Sequence, residues 1–509
     1  MAVVEHHAEP AGALVGDKGL KRDAIGFLSN LVIGIASTAP AYSLAATLGF
    51  IVAVNGMGFH APAVLLVSFV PILLIAFAYK YLNRADPDCG TTFAWGTRAM
   101  GPWVGWLNGW AIFVADVIVM ASLSVIASTY TYLLFGWDHG ANSTFWILIG
   151  ATVWIAVMTW ICWRGIELSA RVQQFLLAAE ILILAAFAIV ALVKVYVNNP
   201  AHSVHPSFEW FNPFALGFSP LVDGMLLGIF IYWGWDSGVM VNEETESSAE
   251  APGRAAVLST LILLAIYLVV GASAQAYGGT QVLIDNSNDV LRVLGGSVFG
   301  SPWDKLLIIA VLTSASASTQ TTILPTARTT LSMARWKAIP SVFGHIHPRN
   351  LTPDVSTLAM GGLSIVFTVL LVAFNSSQDV LGDSITAVGF AILFYYGFTG
   401  LICVVYFRKE LVKSWKHFLA AGIIPFVGFG VMAAIFVKAF HDYSQTGAGY
   451  AAPLFGIQIP IVIGIGSLLL GVPLAILCAI KYREFFSRKL EVAEEGSLDY
   501  VPEEVPIHF

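Results

Sequence analysis

The chain has 509 residues, of which 57% are hydrophobic and only 11% are charged, and its formal net charge is −7. Soluble proteins carry about 25% charged residues, so this composition excludes an ordinary soluble domain and indicates an integral membrane protein whose main partner is the lipid bilayer. No nucleic-acid partner is expected.

Twelve apolar stretches are long enough to cross a bilayer core, which requires roughly 20 residues. They lie near residues 24–54, 62–82, 103–135, 144–162, 171–194, 219–244, 255–277, 302–334, 355–374, 383–407, 416–440 and 456–481. The first 23 residues hold no apolar core, and the first stretch is too long for a cleavable signal peptide. We therefore predict a tail over residues 1–23, a membrane domain over 24–481 and a second tail over 482–509.

Basic residues are distributed unevenly over the connecting loops. If the N-terminus is inside and the stretches alternate, 21 of the 25 Lys and Arg face the cytoplasm and 4 face outside. The positive-inside rule then predicts a multi-pass protein of the cell membrane with both termini in the cytoplasm. The four cysteines, Cys89, Cys162, Cys403 and Cys478, fall on that same side, where disulfides are disfavoured, and they have no metal-binding spacing.

Two of the apolar stretches are interrupted, and these two lie five helices apart. The first is interrupted by Ala36, Ser37, Thr38, Ala39 and Pro40. The second is interrupted by residues 233–238. Lipid does not tolerate unpaired backbone groups, so such breaks persist only where something polar fills them. A matched pair in the two halves of a chain indicates the binding site of a transporter.

The two breaks predict what the site binds. The half-helix after the first break presents N–H groups and a positive dipole end, which suit a carboxylate. The first half of the sixth helix ends in carbonyls, which suit an ammonium, so an amino-acid backbone matches both. The predicted substrate-binding residues are Ala36, Ser37, Thr38, Ala39, Phe230, Tyr232, Trp233, Gly234, Asp236 and Ser237. The alternative is that Pro40 only kinks its helix.

Three acids, Asp116, Glu180 and Asp236, lie in apolar stretches away from helix ends, with no Lys, Arg or His at comparable positions. A charge at the bilayer centre costs on the order of 3 kcal/mol or more, so such residues usually serve a function. Acids without buried bases favour a cation, and desolvation favours the neutral form of a carboxyl. We predict proton coupling through Glu180 first and Asp236 second, with Asp116 either a third participant or a hydrogen-bonded structural acid.

An acidic run over residues 243–250 follows the second break. By topology it lies near Arg84, Arg98 and Arg171. The run either forms salt bridges that close the cytoplasmic side or remains a solvated loop.

The connecting segments resemble those of the amino acid–polyamine–organocation (APC) superfamily, in the family's order along the chain. The matching segments are residues 19–23, 88–95, 164–171, 233–236, 242–244, 252–255, 333–340 and 351–353. The chain departs from the family pattern in the first break, which contains no glycine, and at Phe93, where relatives often have tyrosine.

The resemblance implies an all-α, LeuT-like membrane fold. Helices 1–5 (24–194) and 6–10 (219–407) would form two inverted repeats, helices 1 and 6 would be discontinuous, and helices 11 and 12 (416–481) would lie outside the repeats. Family members move amino acids or amines, often with protons. In relatives an aromatic residue at the position of Phe230 closes over the substrate; here it could equally pack against lipid or core. In sodium-coupled members, hydroxyls at the positions of residues 313–319 hold the ion, although small residues there also allow close helix packing.

No nucleotide-binding loop, HExxH or CxxC motif is present, so we predict no cofactor, no metal and no catalytic residue, and the chain is not predicted to be an enzyme. The predicted function is secondary active transport, namely proton-coupled uptake of an amino acid or related amine by alternating access. A polyamine or amine transporter and an amino-acid exchanger on the same fold remain alternatives. A sodium-coupled symporter is a more distant one.

Overall fold

A computed structural model of the protein describes residues 18–287, 289–374, 377–445 and 453–487. Within these residues the regular structure is helical, with isolated two-residue bridges in place of any strand. Eleven of the described helices are long and apolar enough to cross a membrane. The shorter apolar helix Phe218–Ile231, continued after a break by Ser237–Met240, supplies the sixth of the twelve predicted crossings.

We number the membrane helices 1 to 12 and mark the halves of broken ones a and b. The first repeat contains helix 1a Phe27–Ser37, helix 1b Pro40–Ala53, helix 2 Ala61–Ala85, helix 3 Pro102–Leu134, helix 4 Thr144–Arg164 and helix 5 Ile166–Asn198. The second contains helix 6a Phe218–Ile231, helix 6b Ser237–Met240, helix 7 Ala251–Asp285, helix 8 Leu306–Arg335, helix 9 Asp354–Phe374 and helix 10 Ser377–Tyr406. Helix 11 Trp415–Tyr443 and helix 12 Ile461–Lys481 follow.

The predicted fold class is confirmed. Each repeat begins with a broken helix and contains an odd number of crossings, so the second repeat runs through the membrane in the opposite sense to the first. Helix 1a packs against helices 5, 6b, 7 and 8, which places it in the middle of the bundle. The most apolar window of helix 1 is 94% buried inside the protein, whereas that of helix 12 is 17% buried. Helix 12 therefore lies at the lipid-facing periphery.

The break in helix 1 lies where the sequence predicts it. Pro40 has no N–H, and its ring would clash with the carbonyl of Ala36 in a continuous helix. Helix 1a instead closes with tighter turns, in which Thr38 N–H donates to Ile35 at 3.2 Å and Ala39 N–H donates to Ala36 at 3.1 Å. Ala39 adopts the left-handed region, with φ 48°, and redirects the chain into helix 1b.

The break in helix 6 is also confirmed. Helix 6a ends at Ile231, five residues follow, and helix 6b is only four residues long. Gly234 has φ +114°, a conformation that favours glycine, and a Cβ there would lie 2.8 Å from the carbonyl oxygen of Ser37. A side chain at this position would therefore push the two breaks apart.

Buried ion pairs close the end of the bundle at which helix 1 begins. Arg328 of helix 8 donates through Nε and Nη2 to the two carboxylate oxygens of Glu244 at 2.9 and 3.0 Å, and both side chains are 0% exposed. Lys18 pairs with Asp88 at 2.9 Å and also with Glu243. Glu243 and Glu244 of the acidic run thus form salt bridges instead of a solvated loop, and the cytoplasmic location of this end stays a prediction.

The partners of these acids differ in part from those expected. Arg84 does pair with Glu250 at 2.8 Å, but Arg98 pairs with Asp86 at 3.0 Å instead of the acidic run. The expectation that no base lies at depth is wrong, because Arg328 is fully buried two turns before the end of helix 8. A base is tolerated there because Glu244 neutralises it with two hydrogen bonds.

The Lys18–Asp88 pair stays ionised at physiological pH. Burial alone would raise the pKa of Asp88, but Lys18, Arg98 and the hydrogen bonds from Gly90 and Ser332 outweigh burial and bring that pKa below its ordinary value. Burial alone would lower the pKa of Lys18, and its acidic neighbours raise it above its ordinary value. The stabilisation by Asp88 is thus present above its ordinary pKa and is lost only as the pH falls through the lower folded-state value.

Asp88, Cys89 and Glu243 place potential metal-ligand atoms within 4.8 Å of one another. The ammonium of Lys18 already contacts both carboxylates of this group. The cluster is therefore a lysine-neutralised ion pair with a buried thiol beside it, and we assign it no metal.

Candidate functional site

The two breaks face each other in the middle of the bundle. The hydroxyls of Ser37 and Ser237 lie 2.7 Å apart, and Asn30 Nδ2 donates to the carbonyl of Gly238 at 2.7 Å. Ser318 of helix 8 donates to the carbonyl of Ser37 at 2.8 Å. The break in helix 1 and the break in helix 6, which the sequence predicts separately, are thus in direct contact through Ser37 and Ser237.

A small cavity lies between the breaks, and helices 3, 8 and 10 complete its walls. Its polar or aromatic lining residues are Ser37, Asp116, Trp233, Asp236, Ser237, Thr322 and Tyr395, and Gly234 also lines it. Its volume is about 10 Å³, which corresponds to about one water molecule. An organic substrate therefore fits only after the surrounding helices move.

The remaining predicted site residues are buried near the cavity but are not part of its lining. They are Ala36, Thr38, Ala39, Phe230 and Tyr232. Their contacts with a substrate stay predictions.

Three tyrosine hydroxyls surround the carboxylate of Asp236. Tyr396 donates to Oδ1 at 2.8 Å, Tyr395 donates to Oδ2 at 3.1 Å, and Tyr79 approaches Oδ2 at 3.4 Å. Hydroxyl donors stabilise the ionised form and partly offset burial. Sequence reasoning missed these tyrosines, although the adjacent pair Tyr395–Tyr396 in an otherwise apolar stretch of helix 10 was a usable signal.

Asp116 lies on helix 3 and accepts a hydrogen bond from the hydroxyl of Thr326 on helix 8. It also lines the cavity together with Asp236. Asp116 is thus hydrogen-bonded and lies at the cavity, and its participation in proton coupling stays a prediction.

Glu180 lies on helix 5 and is fully buried. Its Oε1 accepts a hydrogen bond from the N–H of Ala41 at 2.6 Å, which is the first N–H that helix 1b offers after Pro40. Its Oε2 has no hydrogen-bond partner among the described residues. The side chain therefore caps the N-terminus of helix 1b, where a negative charge is favoured, and leaves one oxygen on which a proton could reside.

The aromatic residues near the helix 6 break have separate roles. Trp233 lines the cavity and its indole N–H donates to the hydroxyl of Tyr395. Tyr232 points away, because its hydroxyl donates to the carbonyl of Leu65 at 3.1 Å. Phe230 is 3% exposed and belongs to the main apolar cluster.

The hydroxyl-rich stretch of helix 8 is engaged with helix 1. The N–H of Tyr42 donates to Ser314 Oγ at 3.1 Å, and Ser318 binds the carbonyl of Ser37 as described above. In this conformation the stretch joins two helices, which matches the packing interpretation of residues 313–319. Sodium binding there remains an alternative for a different conformation.

An all-helical membrane bundle in which two broken helices enclose a polar cavity has the architecture of a secondary transporter. Residues 24–464 match the family model described as amino acid permease. The chain belongs to the amino acid permease family, within the APC superfamily that its connecting segments resemble.

Curated relatives also match over about three quarters of the chain. The chain is 23% identical over 427 residues to an arginine/ornithine antiporter of Latilactobacillus sakei, a match that covers 79% of this chain and 82% of the relative. It is 21% identical over 401 residues to the low-affinity putrescine importer PlaP of Escherichia coli (strain K12), covering 77% and 84%. It is 24% identical over 384 residues to an uncharacterized transporter of Mycobacterium tuberculosis, covering 74% and 78%. These relatives are transporters, one an antiporter and one an importer by name.

Phe230→Ala should weaken substrate binding or uptake severalfold while the protein still folds, because the side chain lies one turn before Gly234 at the end of helix 6a. Binding and uptake by the purified variant test this. Phe175→Ala, at a 74% exposed position on helix 5, is the matched control. Unchanged affinity and uptake in folded Phe230→Ala protein would remove Phe230 from the site.

Proposed function

We propose that the protein is a secondary active transporter that takes up an amino acid or related amine by alternating access, coupled to protons. The observation that carries this proposal is the small cavity between two broken helices, lined by Asp116 and Asp236. Membership of the permease family supports the same conclusion, and nothing in the proposal assigns a catalytic activity or a cofactor.

Alternating access requires that both ends of the site can close. At one end Arg328–Glu244 and Lys18–Asp88 lie beneath the cavity. At the other end the short helix Val290–Phe299 packs over helix 1b, and Tyr130 donates to Asp289 at the start of that helix. Under this proposal, opening either end of the site would have to break one of these sets of contacts.

Glu180 offers a route for coupling protons to that motion. When ionised, it holds the first N–H of helix 1b and the positive end of that helix. Protonation removes the charge and weakens both interactions, because charge-assisted hydrogen bonds are roughly twice as strong as neutral ones. The charge on Glu180 would thereby bias the position of a broken helix that borders the substrate site.

Proton coupling and uptake each have an alternative. A sodium ion could replace the proton, and an exchanger could replace the importer. The division into a tail over 1–23, a membrane domain over 24–481 and a tail over 482–509 is also part of this proposal.

Uptake into proteoliposomes of purified protein tests the proposal. A radiolabelled amino acid or amine should accumulate under an imposed inward proton gradient with sodium absent, and empty liposomes should not accumulate it. Accumulation that requires sodium and ignores the pH gradient would replace proton coupling with sodium coupling. Uptake that requires substrate inside the vesicle would identify an exchanger.

Both termini should be cytoplasmic, from the distribution of Lys and Arg. The native thiols are poor reporters, since Cys89, Cys162 and Cys403 are buried. Two exposed positions serve better in a Cys478→Ser background: Glu209→Cys between helices 5 and 6, and Lys416→Cys at the start of helix 11. In intact cells an impermeant maleimide should label position 209 at once and position 416 only after permeabilisation. The reverse pattern would invert the proposed topology.

A further inference from the structure

The backbone N–H groups at the helix 1 break are all engaged. The N–H of Thr38 donates to Ile35, and the N–H of Ala39 donates to Ala36. Pro40 has no N–H to offer. The break therefore presents no free backbone donor up to the first residue of helix 1b.

The first turn of helix 1b is engaged as well. The N–H of Ala41 donates to Glu180 at 2.6 Å, that of Tyr42 donates to Ser314 at 3.1 Å, and that of Ser43 donates to the carbonyl of Ala39 at 2.8 Å. These are the groups that would otherwise receive a carboxylate at the N-terminus of the half-helix. A carboxylate of the protein already holds that position.

The carbonyl groups at the end of helix 6a can accept further hydrogen bonds, unlike the N–H groups of helix 1. The carbonyls of Ile229 and Phe230 accept N–H groups of the following residues, and the carbonyl of Ile231 accepts the hydroxyl of Tyr267 at 2.6 Å. A carbonyl oxygen has two lone pairs, whereas an N–H has one proton. The carbonyls at the end of helix 6a therefore keep lone pairs that an ammonium could use, whereas every backbone N–H from Thr38 to Ser43 already has an acceptor.

The charged residues that line the cavity also favour an ammonium over a carboxylate. Asp116 and Asp236 line it, and the lining described by the structure contains no Lys, Arg or His. In their ionised forms these acids attract an ammonium and repel a carboxylate, and that interaction is strong in a site of low dielectric.

We infer that the substrate of this site is an organic amine that carries an ammonium group and no carboxylate. This inference rests on the proposed transport function and narrows its substrate class. Glu180 takes, within the protein, the place at helix 1b that the carboxylate of an amino acid would need. An amino acid would have to displace Glu180 or leave its own carboxylate buried without a donor.

Pairs of compounds that differ only in the carboxylate test this inference. Putrescine and ornithine form one pair, and cadaverine and lysine form another. The wild-type protein should bind each diamine at least about 100-fold more tightly than the matched amino acid, as expected where a buried charge finds no partner. Thermal shift measures binding, and competition against labelled putrescine in proteoliposomes measures transport.

The possible outcomes distinguish the inferred substrate class from the proposed transport function. Equal or tighter binding of ornithine would overturn the inference and leave transport standing. If neither diamines nor amino acids were bound or transported, the proposed function would be overturned together with the inference. Ornithine methyl ester is slightly larger than ornithine and lacks the negative charge, so it should bind better than ornithine if charge is the cause. If the ester were rejected as strongly as ornithine, size and not charge would be the cause.

Variants at helix 1b provide a gain-of-function test. Glu180→Ala leaves the N–H of Ala41 without its acceptor and should shift the preference toward ornithine at least tenfold, whereas Glu180→Gln keeps an oxygen acceptor and should retain selectivity for the diamine. If Glu180→Ala does not fold, Ser314→Ala releases the N–H of Tyr42 and should shift selectivity in the same direction. Diamine selectivity unchanged in folded Glu180→Ala protein would contradict the role given to Glu180.

Discussion

Glu180→Gln should abolish accumulation of substrate against a gradient in proteoliposomes while preserving substrate binding. The glutamine can still accept the hydrogen bond from Ala41 N–H, so helix 1b keeps its cap. It cannot gain or lose a proton, so pH no longer changes the charge that caps helix 1b. Uptake driven by an imposed pH gradient should fall to the level of empty liposomes, and exchange of internal for external substrate should be partly retained.

Glu167→Gln is the matched control for this prediction. Glu167 lies on the same helix, is 46% exposed and pairs with Lys21, so the same chemical change there should leave pH-driven accumulation near that of wild type. Normal accumulation by Glu180→Gln would exclude Glu180 as the proton carrier and would direct attention to Asp236, for which Asp236→Asn is the corresponding variant.

Arg328→Ala should lower the stability of the folded protein by about 3–5 kcal/mol, because it leaves the carboxylate of Glu244 buried without a partner. The guanidinium makes two hydrogen bonds in a fully buried pair. A large fall in apparent melting temperature in detergent, and a loss of monodisperse protein, are the expected measurements. Arg328→Lys should recover only part of the loss, since an ammonium cannot bind both carboxylate oxygens in the same planar geometry.

Two further variants show whether the loss of stability in Arg328→Ala comes from the buried pair or from the removal of any charged residue. Lys337→Ala removes the partner of Glu484 in a pair that is 62% and 65% exposed, and it should cost less than about 1 kcal/mol. The double variant Arg328→Met/Glu244→Gln removes both buried charges and should be more stable than Arg328→Ala. An Arg328→Ala protein as stable as wild type would show that the buried pair has no structural importance.

The helices and both breaks could be predicted from the sequence because they depend on local signals. Apolar length predicts a crossing, and Pro40 and Gly234 interrupt helices by their own covalent geometry. Glu180 and Asp236 were identifiable as functional candidates from charge alone, since an acid in an apolar stretch is costly wherever it lies.

The partners of those residues could not be predicted, because they depend on contacts between distant parts of the chain. Glu180 meets Ala41 across 139 residues, and Asp236 meets Tyr396 across 160. The sequence places Arg328 near a helix end among the basic residues counted as cytoplasmic, and it does not reveal the buried carboxylate of Glu244 that neutralises the guanidinium. The same limit applies to the predicted carboxylate subsite at helix 1b, where the sequence shows the N–H donors but not the side chains that already bind them.

The conformation of Ala39 has a consequence for how the first broken helix moves. A left-handed alanine is disfavoured by about 1–2 kcal/mol relative to the right-handed form, and the next residue is a proline with a fixed φ. A glycine at this position would let the joint bend through many intermediate angles, whereas Ala39–Pro40 restricts it to a few. Helix 1a should therefore switch between a few discrete orientations. The joint at Ala39–Pro40 is then a stiff hinge and not a flexible linker.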